Sequence, residues 1–239
     1  MNSECAYKRV LIKISGEALA GGEGMGLDFD FMSRVCASVK KCTELGAQVA
    51  IVVGGGNFWR GVKDGGGKME RSRADHMGML ATVMNSLALC DKMEQMGIPA
   101  RVMTSVAMTT FADTYSRRDA VRELEAGRVV IFGGGTGNPY FSTDTAAALR
   151  AAEIGADAIL LAKNIDGVYS ADPKTDTNAK KYDTIAYSEV LALHLNVMDM
   201  TATSLAMDNN IPAIVFALKD PENIVRAVMG ENVGTTVKN

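Results

Sequence analysis

Six short runs of apolar residues, rich in Val, Ile and Leu, recur along the chain. Each run is continuous rather than alternating, which is typical of strands that are covered on both faces of a sheet. The predicted strands span residues 10–15, 49–53, 101–104, 129–132, 158–162 and 213–217. Such strands occur mainly in parallel sheets that are flanked by helices.

Apolar residues recur at helical spacing between these runs. The predicted helices span residues 29–45, 73–96, 118–126, 143–154, 188–195, 201–209 and 221–229. Many of them end at a glycine, and Asp220 and Pro221 supply an N-cap and a proline at the first helical position of the last one. The alternation predicts a three-layer α/β/α sandwich with a largely parallel central sheet. Because no linker rich in Pro, Gly or Ser divides the chain, we expect a single domain over residues 1–239.

Charge and composition narrow the class of protein. The chain has 239 residues, 47% of them hydrophobic, and a net charge of −3, with Lys and Arg scattered along it. Nucleic acid and anionic membrane surfaces are therefore not expected as partners. The longest uncharged stretches, residues 45–59 and 129–143, are interrupted by glycines and shorter than the ~18 apolar residues of a membrane span. Without a secretory h-region at the amino terminus or a CxxC pair among the four cysteines, we expect a cytoplasmic protein with reduced thiols.

Glycine-rich segments follow three of the predicted strands. They comprise Gly16 after the first strand, residues 54–56 after the second and residues 133–137 after the fourth. Ligands of open α/β sheets bind at the carboxyl ends of the strands, where backbone amides and helix N-termini face the crevice. One such loop alone is more simply explained as a tight turn. Three at equivalent positions favour a site for a polyanion.

Common nucleotide and hydrolase motifs do not fit these loops. Lys68 follows a glycine, but Val62 and Met69 break the GxxxxGK[ST] pattern, and neither GGGNFWRG nor GGGTGNPY satisfies GxGxxG. The HRD and DFG motifs of protein kinases and the GxSxG motif of hydrolases are missing. The chain has only two histidines, His76 and His194, which makes a Ser-His-Asp triad a poor explanation of the site. We interpret His194 as a helix-end or core residue.

Charged residues adjoin the glycine loops. Lys13 interrupts an otherwise apolar strand, Arg60 follows the second loop, and Asp144 opens the helix after the third. A lysine within a buried strand needs a partner for its charge. Cations beside amide-rich loops stabilise the phosphates during phosphoryl transfer, where positioning and electrostatics supply most of the catalysis. The pattern therefore predicts a phosphoryl-transfer site.

Several longer segments together resemble one known family. They are KISGEAL at 13–19, GGGNFWRG at 54–61, DHMGMLATVMN at 75–85, GGGTGNPYFSTDTAA at 133–147, DGVYSADP at 166–173 and VMD at 197–199. In this order and spacing they resemble the bacterial uridylate kinases of the amino acid kinase family, from about residue 8 to the carboxyl terminus. The GTGNPYFSTD block separates these enzymes from relatives that phosphorylate aspartate, acetylglutamate, glutamate or carbamate.

The resemblance implies transfer of the γ-phosphoryl group of ATP to UMP, giving UDP and ADP, with Mg²⁺, in pyrimidine nucleotide biosynthesis. The phosphate of UMP has a second pKa of about 6, so at pH 7 it is largely a dianion and already nucleophilic. No catalytic base is required, which suits a site of lysine, arginine and aspartate. We expect phosphates and water to hold the Mg²⁺; its direct protein ligands are left open.

The resemblance also assigns site residues. The acceptor half would span about residues 1–157 and the ATP half about 158–239. Lys13 would stabilise the transferring group and Asp144 would orient Lys13, with Asp199 nearby; Arg60 completes the catalytic set. The residues implied for ATP are Lys13, Ile14, Ser15, Gly16, Gly56, Arg60, Lys163, Tyr169 and Asp172. The residues implied for UMP are Gly55, Asp75, Thr136, Gly137, Asn138, Pro139, Tyr140, Phe141, Ser142 and Thr143.

Three of these assignments have an alternative. Asp75 would accept hydrogen bonds from the ribose hydroxyls of UMP, although an aspartate at this position is also a suitable N-cap for the following helix. Lys163 is either a second phosphate contact or a residue without a role. Ser142 or Thr143 would cap the helix that Asp144 opens, and Asp144 itself is also simply favoured by the helix dipole.

Regulation is the least specific part of the resemblance. Bacterial uridylate kinases are typically homohexamers that UTP inhibits and, in many cases, GTP activates. The segment that resembles their effector loop comprises Gly21, Gly22, Glu23, Gly24, Met25 and Gly26. Where some relatives carry a basic cluster for GTP, this chain has Cys90, Lys92 and Glu94, with Arg101 and Arg128 downstream. We therefore predict a hexamer and leave the response to GTP open.

Two alternative functions are compatible with the same fold. One is a kinase for a small carboxylate or carbamate acceptor, which would not bind UMP. The other is a nucleotide sensor without turnover. The charged set of Lys13, Arg60 and Asp144 argues against a sensor, because binding alone does not need groups that stabilise a transition state.

Overall fold

The computed structural model describes residues 5–21, 24–60, 68–173 and 175–239. The strands are β1 Arg9–Ile14, β2 Gln48–Val53, β3 Ala100–Thr104, β4 Asp113–Thr114, β5 Val129–Gly133, β6 Ala158–Lys163, β7 Val168–Tyr169, β8 Lys181–Tyr182, β9 Thr184–Ala186, β10 Ala213–Ala217 and β11 Thr235–Lys238. The helices are α1 Gly16–Leu19, α2 Phe29–Glu44, α3 Arg71–Gln95, α4 Arg117–Glu125, α5 Thr143–Ile154, α6 Tyr187–Ala192, α7 Met200–Asp208 and α8 Glu222–Val228.

Nine strands form one sheet in the order β4-β3-β5-β2-β1-β6-β10-β11-β9. Its strand pairs are parallel, except that β11 runs antiparallel to β10, with Ala213 opposite Val237. The strands β7 and β8 form a separate antiparallel ribbon. The central strand β1 pairs with β2 on one side and β6 on the other. The predicted largely parallel sheet is therefore confirmed.

Helices cover both faces of the sheet, and β1 shows how the sequence achieves this. Successive side chains of a strand point to opposite faces. Val10, Ile12 and Ile14 belong to the apolar cluster that contains residues of α2, α3 and α8. Leu11 belongs to the second cluster, with residues of α4, α5, α6 and α7. Both sets are buried, which explains why the predicted strands are continuously apolar, and the three-layer arrangement is confirmed.

All six predicted strands and all seven predicted helices are present, with boundaries shifted by a few residues. The elements that were not predicted, α1, β4, β7, β8, β9 and β11, have two to four residues each. Runs of this length are too short to show a period. At the last helix, Pro221 is the N-cap rather than the first helical residue, and Asp220 accepts a hydrogen bond from the Glu222 amide.

Within the described ranges, no helix combines the length and the apolar character that crossing a membrane requires.

Candidate active site

The three glycine loops lie side by side at one edge of the sheet. They follow β1, β2 and β5, which are neighbours in the order β5-β2-β1. The Gly54 amide donates to the Ile14 carbonyl at 2.9 Å. A Cβ atom on Gly16 would lie 2.7 Å from both the Gly54 oxygen and the Gly56 nitrogen, so only glycine allows these two loops to approach this closely. The predicted juxtaposition of the loops is confirmed.

A buried amide pair holds the second loop to α3. The side chains of Asn57 and Asn85 hydrogen-bond to each other in both directions, at 2.7 and 3.0 Å. Asn85 also donates to the Gly54 carbonyl, and Asn57 donates to the Gly26 carbonyl. Both side chains are buried, so this complete set of bonds fixes the loop. This pair was not predicted from the sequence, where its only signal is that Asn57 ends the segment GGGN and Asn85 ends the segment ATVMN.

Lys13 lies on the α5 side of β1 and is only 8% exposed. Its Nζ atom forms an ion pair with Asp144 Oδ1 at 2.8 Å. The other carboxylate oxygen of Asp144 lies 3.8 Å from Lys163 Nζ. Lys163 also donates to the Val197 carbonyl. The three charged residues therefore form one cluster at the carboxyl ends of β1 and β6 and at the start of α5.

The cluster shifts the proton affinities of two of its members. Burial alone would raise the pKa of Asp144, but the ammonium groups of Lys13 and Lys163 outweigh it and hold that pKa below its ordinary value. Burial lowers the pKa of Lys163; Asp144 opposes this shift and Lys13 adds to it, and the pKa stays below its ordinary value. The lowered pKa therefore favours the ionised carboxylate of Asp144, which lies between two lysine side chains.

Asp199 anchors the helix that carries Asp144. It caps α7 by accepting from the Ala202 amide at 2.9 Å, and it accepts from the hydroxyl groups of Ser142 and Thr145. Ser142 is the N-cap of α5, accepting from the Asp144 amide at 2.9 Å and the Thr145 amide at 3.2 Å. The start of α5 is therefore fixed on two sides.

A cavity of about 360 Å³ opens beside the second and third glycine loops. Eight predicted UMP, ATP or catalytic residues line it: Gly55, Arg60, Asp75, Thr136, Asn138, Phe141, Ser142 and Thr143. The remaining lining residues, Trp59, Gly78, Met79, Thr82 and Gly135, were missed by the sequence analysis. Gly137, Pro139 and Tyr140 belong to the same loop but do not line the cavity. Thr82 fixes this loop, because its hydroxyl accepts from the Gly134 amide at 2.8 Å.

Asp75 is a side chain of α3 rather than its N-cap. The helix begins at Arg71 and its N-cap is Glu70, so the capping alternative for Asp75 is wrong. The carboxylate of Asp75 accepts from the Tyr140 amide at 2.8 Å and from Arg71 Nε at 2.9 and 3.0 Å. It therefore joins α3 to the loop of residues 136–143 at the rim of the cavity.

Arg60 lies next to the first and second loops. It forms an ion pair with Glu17 of α1, and its Nε atom lies 3.3 Å from the Gly56 carbonyl. The rest of the predicted ATP segment is adjacent: Ile14 ends β1, and Ser15 caps α1 by accepting from the Ala18 amide at 3.2 Å. Arg60, Ser15 and Gly16 thus share one corner of the site.

A second cavity, of about 510 Å³, lies beyond β6. Its walls are residues 165, 167–173 and 193–196, which include the predicted Tyr169 and Asp172. The Tyr169 hydroxyl donates to Asp166 at 2.8 Å, and Asp166 pairs with Lys181 at 3.0 Å. His194 follows α6 with a φ angle of 51° and is exposed at this cavity. It is therefore a helix-end residue, and the core alternative is wrong.

The predicted effector segment is described only in part. Gly22 and Glu23 lie outside the described residues. Gly26 is tied to Asn57 by a backbone bond of 3.2 Å in addition to the side-chain bond. Near the proposed GTP region, Arg128 pairs with Glu123 at 2.7 Å. In the described part of the chain, no group of three or more His, Cys, Asp or Glu residues could hold a metal ion.

The fold and the site together define the class of protein. The model of the amino acid kinase family matches residues 8–217, and the chain belongs to this family.

Three solved structures are similar to the chain over nearly its full length. The UMP kinase of Bacillus anthracis is 40% identical with a TM-score of 0.94, and the match covers 97% of this chain and 96% of that one. The UMP kinase of Ureaplasma parvum is 37% identical with a TM-score of 0.92, covering 97% and 99%. The uridylate kinase of Archaeoglobus fulgidus is 30% identical with a TM-score of 0.74, covering 95% and 99%. The resemblance that the motifs indicated is confirmed.

Proposed function

We propose that this protein is a UMP kinase, which transfers the γ-phosphoryl group of ATP to UMP and releases UDP and ADP in pyrimidine nucleotide biosynthesis. The ion-paired cluster of Lys13, Asp144 and Lys163 carries the proposal, because it places the buried Lys13 and the partly buried Lys163 on either side of one carboxylate, at the carboxyl ends of β1 and β6. The similarity to UMP kinases over 97% of the chain supports UMP as the acceptor.

The chemistry needs no protein base. The UMP phosphate is largely a dianion at pH 7, because its second pKa is about 6, and one of its oxygens attacks the γ-phosphorus of ATP while the bond to the β-phosphate oxygen breaks. The main obstacle is repulsion between two polyanions. Lys13 would stabilise the negative charge on the transferring group, and Asp144 would keep the Lys13 ammonium in place. Arg60, Gly16 and Gly56 would align the phosphates from the donor side.

Mg²⁺ enters this proposal as part of the donor, Mg-ATP. Asp144 is the carboxylate of the cluster, and both of its oxygens already face lysine ammonium groups. We therefore propose that the phosphates of ATP and water supply most of the ligands of the ion.

The two cavities receive the two nucleosides. UMP would occupy the 360 Å³ cavity, with its ribose at Asp75 and its phosphate and base along the loop of Thr136, Gly137, Asn138, Pro139, Tyr140, Phe141, Ser142 and Thr143. ATP would lie in the 510 Å³ cavity, with Tyr169 packed on adenine and Asp172 bonded to the nucleoside. This division retains the predicted acceptor half, about residues 1–157, and ATP half, about 158–239, of a single domain.

The test is ADP formation by the purified protein with Mg-ATP. UMP, dUMP, CMP, aspartate, acetylglutamate and carbamate are offered separately, each with and without GTP. Turnover with UMP and little with the small acids is expected. Turnover with a small acid alone would replace UMP as the acceptor, and UMP binding without turnover would identify a sensor.

We extend the proposal to assembly, regulation and location. A homohexamer inhibited by UTP, with GTP as the candidate activator, follows from the family resemblance. The exposed apolar side chains of Met77, Leu80 and Met84 on α3 support assembly. The bonds between Gly26 and Asn57 connect the effector segment to the second glycine loop. A cytoplasmic location is supported by the four free cysteines, which suit a reducing compartment.

A further inference from the structure

Arg71 and Asp75 form an ion pair one helical turn apart at the start of α3. The Nε atom of Arg71 lies 2.9 Å from Asp75 Oδ2 and 3.0 Å from Oδ1. The carboxylate is largely buried at the cavity rim, whereas the guanidinium is half exposed. Arg71 therefore orients the Asp75 carboxylate, which lines the 360 Å³ cavity, while the guanidinium itself lies outside that cavity.

The same arginine also contacts the loop that closes the cavity. Its guanidinium carbon lies 5.3 Å from the centre of the Tyr140 ring, within the range of a cation–π contact. Tyr140 has a φ angle of 71°, which is unfavourable for a residue with a side chain. The hydrogen bond from its amide to Asp75 and the contact with Arg71 hold it in this conformation.

The hydrogen-bonding capacity of Asp75 leaves room for a substrate. An ionised carboxylate offers about four lone-pair sites. The Tyr140 amide occupies one lone-pair site on Oδ2, and Arg71 Nε lies between the two oxygens and contacts both. Oδ1 therefore keeps acceptor capacity for hydroxyl groups. Rotation of the carboxylate away from Arg71 would redirect these lone pairs and release the loop.

We propose that Arg71 is a positioning residue for ribose recognition: it holds the Asp75 carboxylate and Tyr140 in the arrangement that accepts the ribose hydroxyls, without touching the nucleotide. The inference rests on the proposed function and deepens it. It assigns part of the discrimination between ribonucleotide and deoxyribonucleotide to a side chain outside the cavity lining.

The experiment compares UMP with dUMP in the full-length enzyme. The ratio of kcat/KM values and the ratio of dissociation constants without ATP are measured for the wild type, Arg71→Ala, Arg71→Lys, Asp75→Asn and the double variant. Arg73→Ala is the matched control, because Arg73 lies on the same helical turn, is mostly exposed and reaches Glu70 only at 3.8 Å.

We expect Arg71→Ala to lower the preference for UMP over dUMP by about fivefold or more. UMP should bind more weakly, because the hydrogen bond from its ribose hydroxyl to the Asp75 carboxylate is misaligned. Binding of dUMP, which lacks this hydroxyl, should change little. Arg71→Lys restores part of the preference, because lysine keeps the charge but lacks the planar fork. In the Asp75→Asn background, Arg71→Ala changes the ratio no further, and Arg73→Ala leaves it at the wild-type value.

Each other outcome has a distinct meaning. Equal losses for UMP and dUMP, or a higher preference for UMP, would overturn the positioning role. An unchanged ratio in Asp75→Asn would overturn it as well, because Asp75 would then not read the ribose. Failure of the wild type to phosphorylate UMP would instead refute the proposed function itself, and the inference with it.

Discussion

At the scale of single residues, the buried charge of Lys13 determines how the site is built. An ammonium group inside an apolar strand is costly unless a carboxylate balances it. The sequence predicted the need for a partner, and Asp144 fills this role at 2.8 Å. The presence of Lys163 on the other side of the same carboxylate could not be predicted, because it depends on the pairing of β1 with β6.

Replacing Lys13 by alanine tests its assigned role. We expect turnover to fall by about 100-fold to 1000-fold, since a charge that acts mainly in the transition state is lost. The dissociation constant for UMP, measured by calorimetry, should change little. Lys8→Ala, an exposed change just before the same strand, is the control. A variant that alters only the KM for UMP would contradict the role and identify Lys13 as a ground-state binder.

The burial of two cysteine thiols predicts how the free energy of unfolding changes at alkaline pH. Burial raises the pKa of Cys36 and of Cys42 from the ordinary value of 9.0 to about 12. Their stabilising contribution is therefore complete below pH 9 and is lost as the pH rises from 9 towards 12, where the unfolded chain releases protons that the folded protein keeps.

The measurement is urea unfolding between pH 8.5 and pH 9.8. The free energy of unfolding should fall, with each thiol contributing on the order of 1 kcal/mol per pH unit at the upper end. Cys42→Ala should show a shallower fall than the wild type. Identical slopes in the variant and the wild type would contradict the assignment.

At the scale of elements, hydrogen bonds join the second and third glycine loops to helix α3. The second loop is held by Asn85 of α3, and the third by Thr82 of the same helix. Helix α3 thus carries Asp75 and also positions two of the three loops. The sequence predicted the loops, but the side chains that fix them have no local signature.

Two glycine-to-alanine changes should have opposite effects on stability. In Gly16→Ala, the new Cβ would lie 2.6 Å from Asn57 Oδ1 and 2.7 Å from the backbone of the second loop. We expect a loss of about 1–3 kcal/mol from this overpacking. Gly78 lies inside α3. In Gly78→Ala, the new Cβ would lie 3.9 Å from the side chain of Trp59, which is an ordinary van der Waals contact. A gain of about 0.5–1 kcal/mol is expected from helix propensity.

Denaturant unfolding followed by circular dichroism measures both changes. Equal stability of Gly16→Ala and the wild type would mean that the first two loops move apart without cost. The first two loops would then not form a rigid phosphate site.

At the scale of the whole molecule, the outer face of α3 presents exposed apolar side chains. Met77, Leu80 and Met84 follow helical spacing and are 37%, 50% and 51% exposed. An apolar stripe of this kind is typical of a surface that another subunit covers. It supports the proposed homohexamer.

Light scattering coupled to size-exclusion chromatography tests the assembly. The wild type should have six times the 25.4 kDa mass of one chain. Met84→Glu places a charge in the stripe and should give a smaller species. Met200→Glu, at an exposed apolar position on α7, should leave the mass unchanged. A monomeric wild type would refute the hexamer, and a hexameric Met84→Glu would place the interface elsewhere.

The pattern of residues along the chain was enough to predict the main strands and helices, the sandwich class and the loops at one edge of the sheet. These features depend on local periodicity and on the rule that parallel strands end together. The motifs also identified the family. Element boundaries were less accurate, as at the end of α6, which was expected to reach residue 195 and ends at Ala192. Elements of two to four residues, such as β11, were not predicted, because so short a run contains too little pattern.

Which side chains meet depends on how the sheet and the helices pack. Lys163 approaches Asp144, Asn57 pairs with Asn85, and Arg71 holds Asp75 against Tyr140, although these residues are separated by 19, 28 and, from Asp75 to Tyr140, 65 positions. The physical reason is that hydrogen bonds and ion pairs depend on distances and directions of a few tenths of an ångström. Those geometries arise only when the sheet and helices have packed.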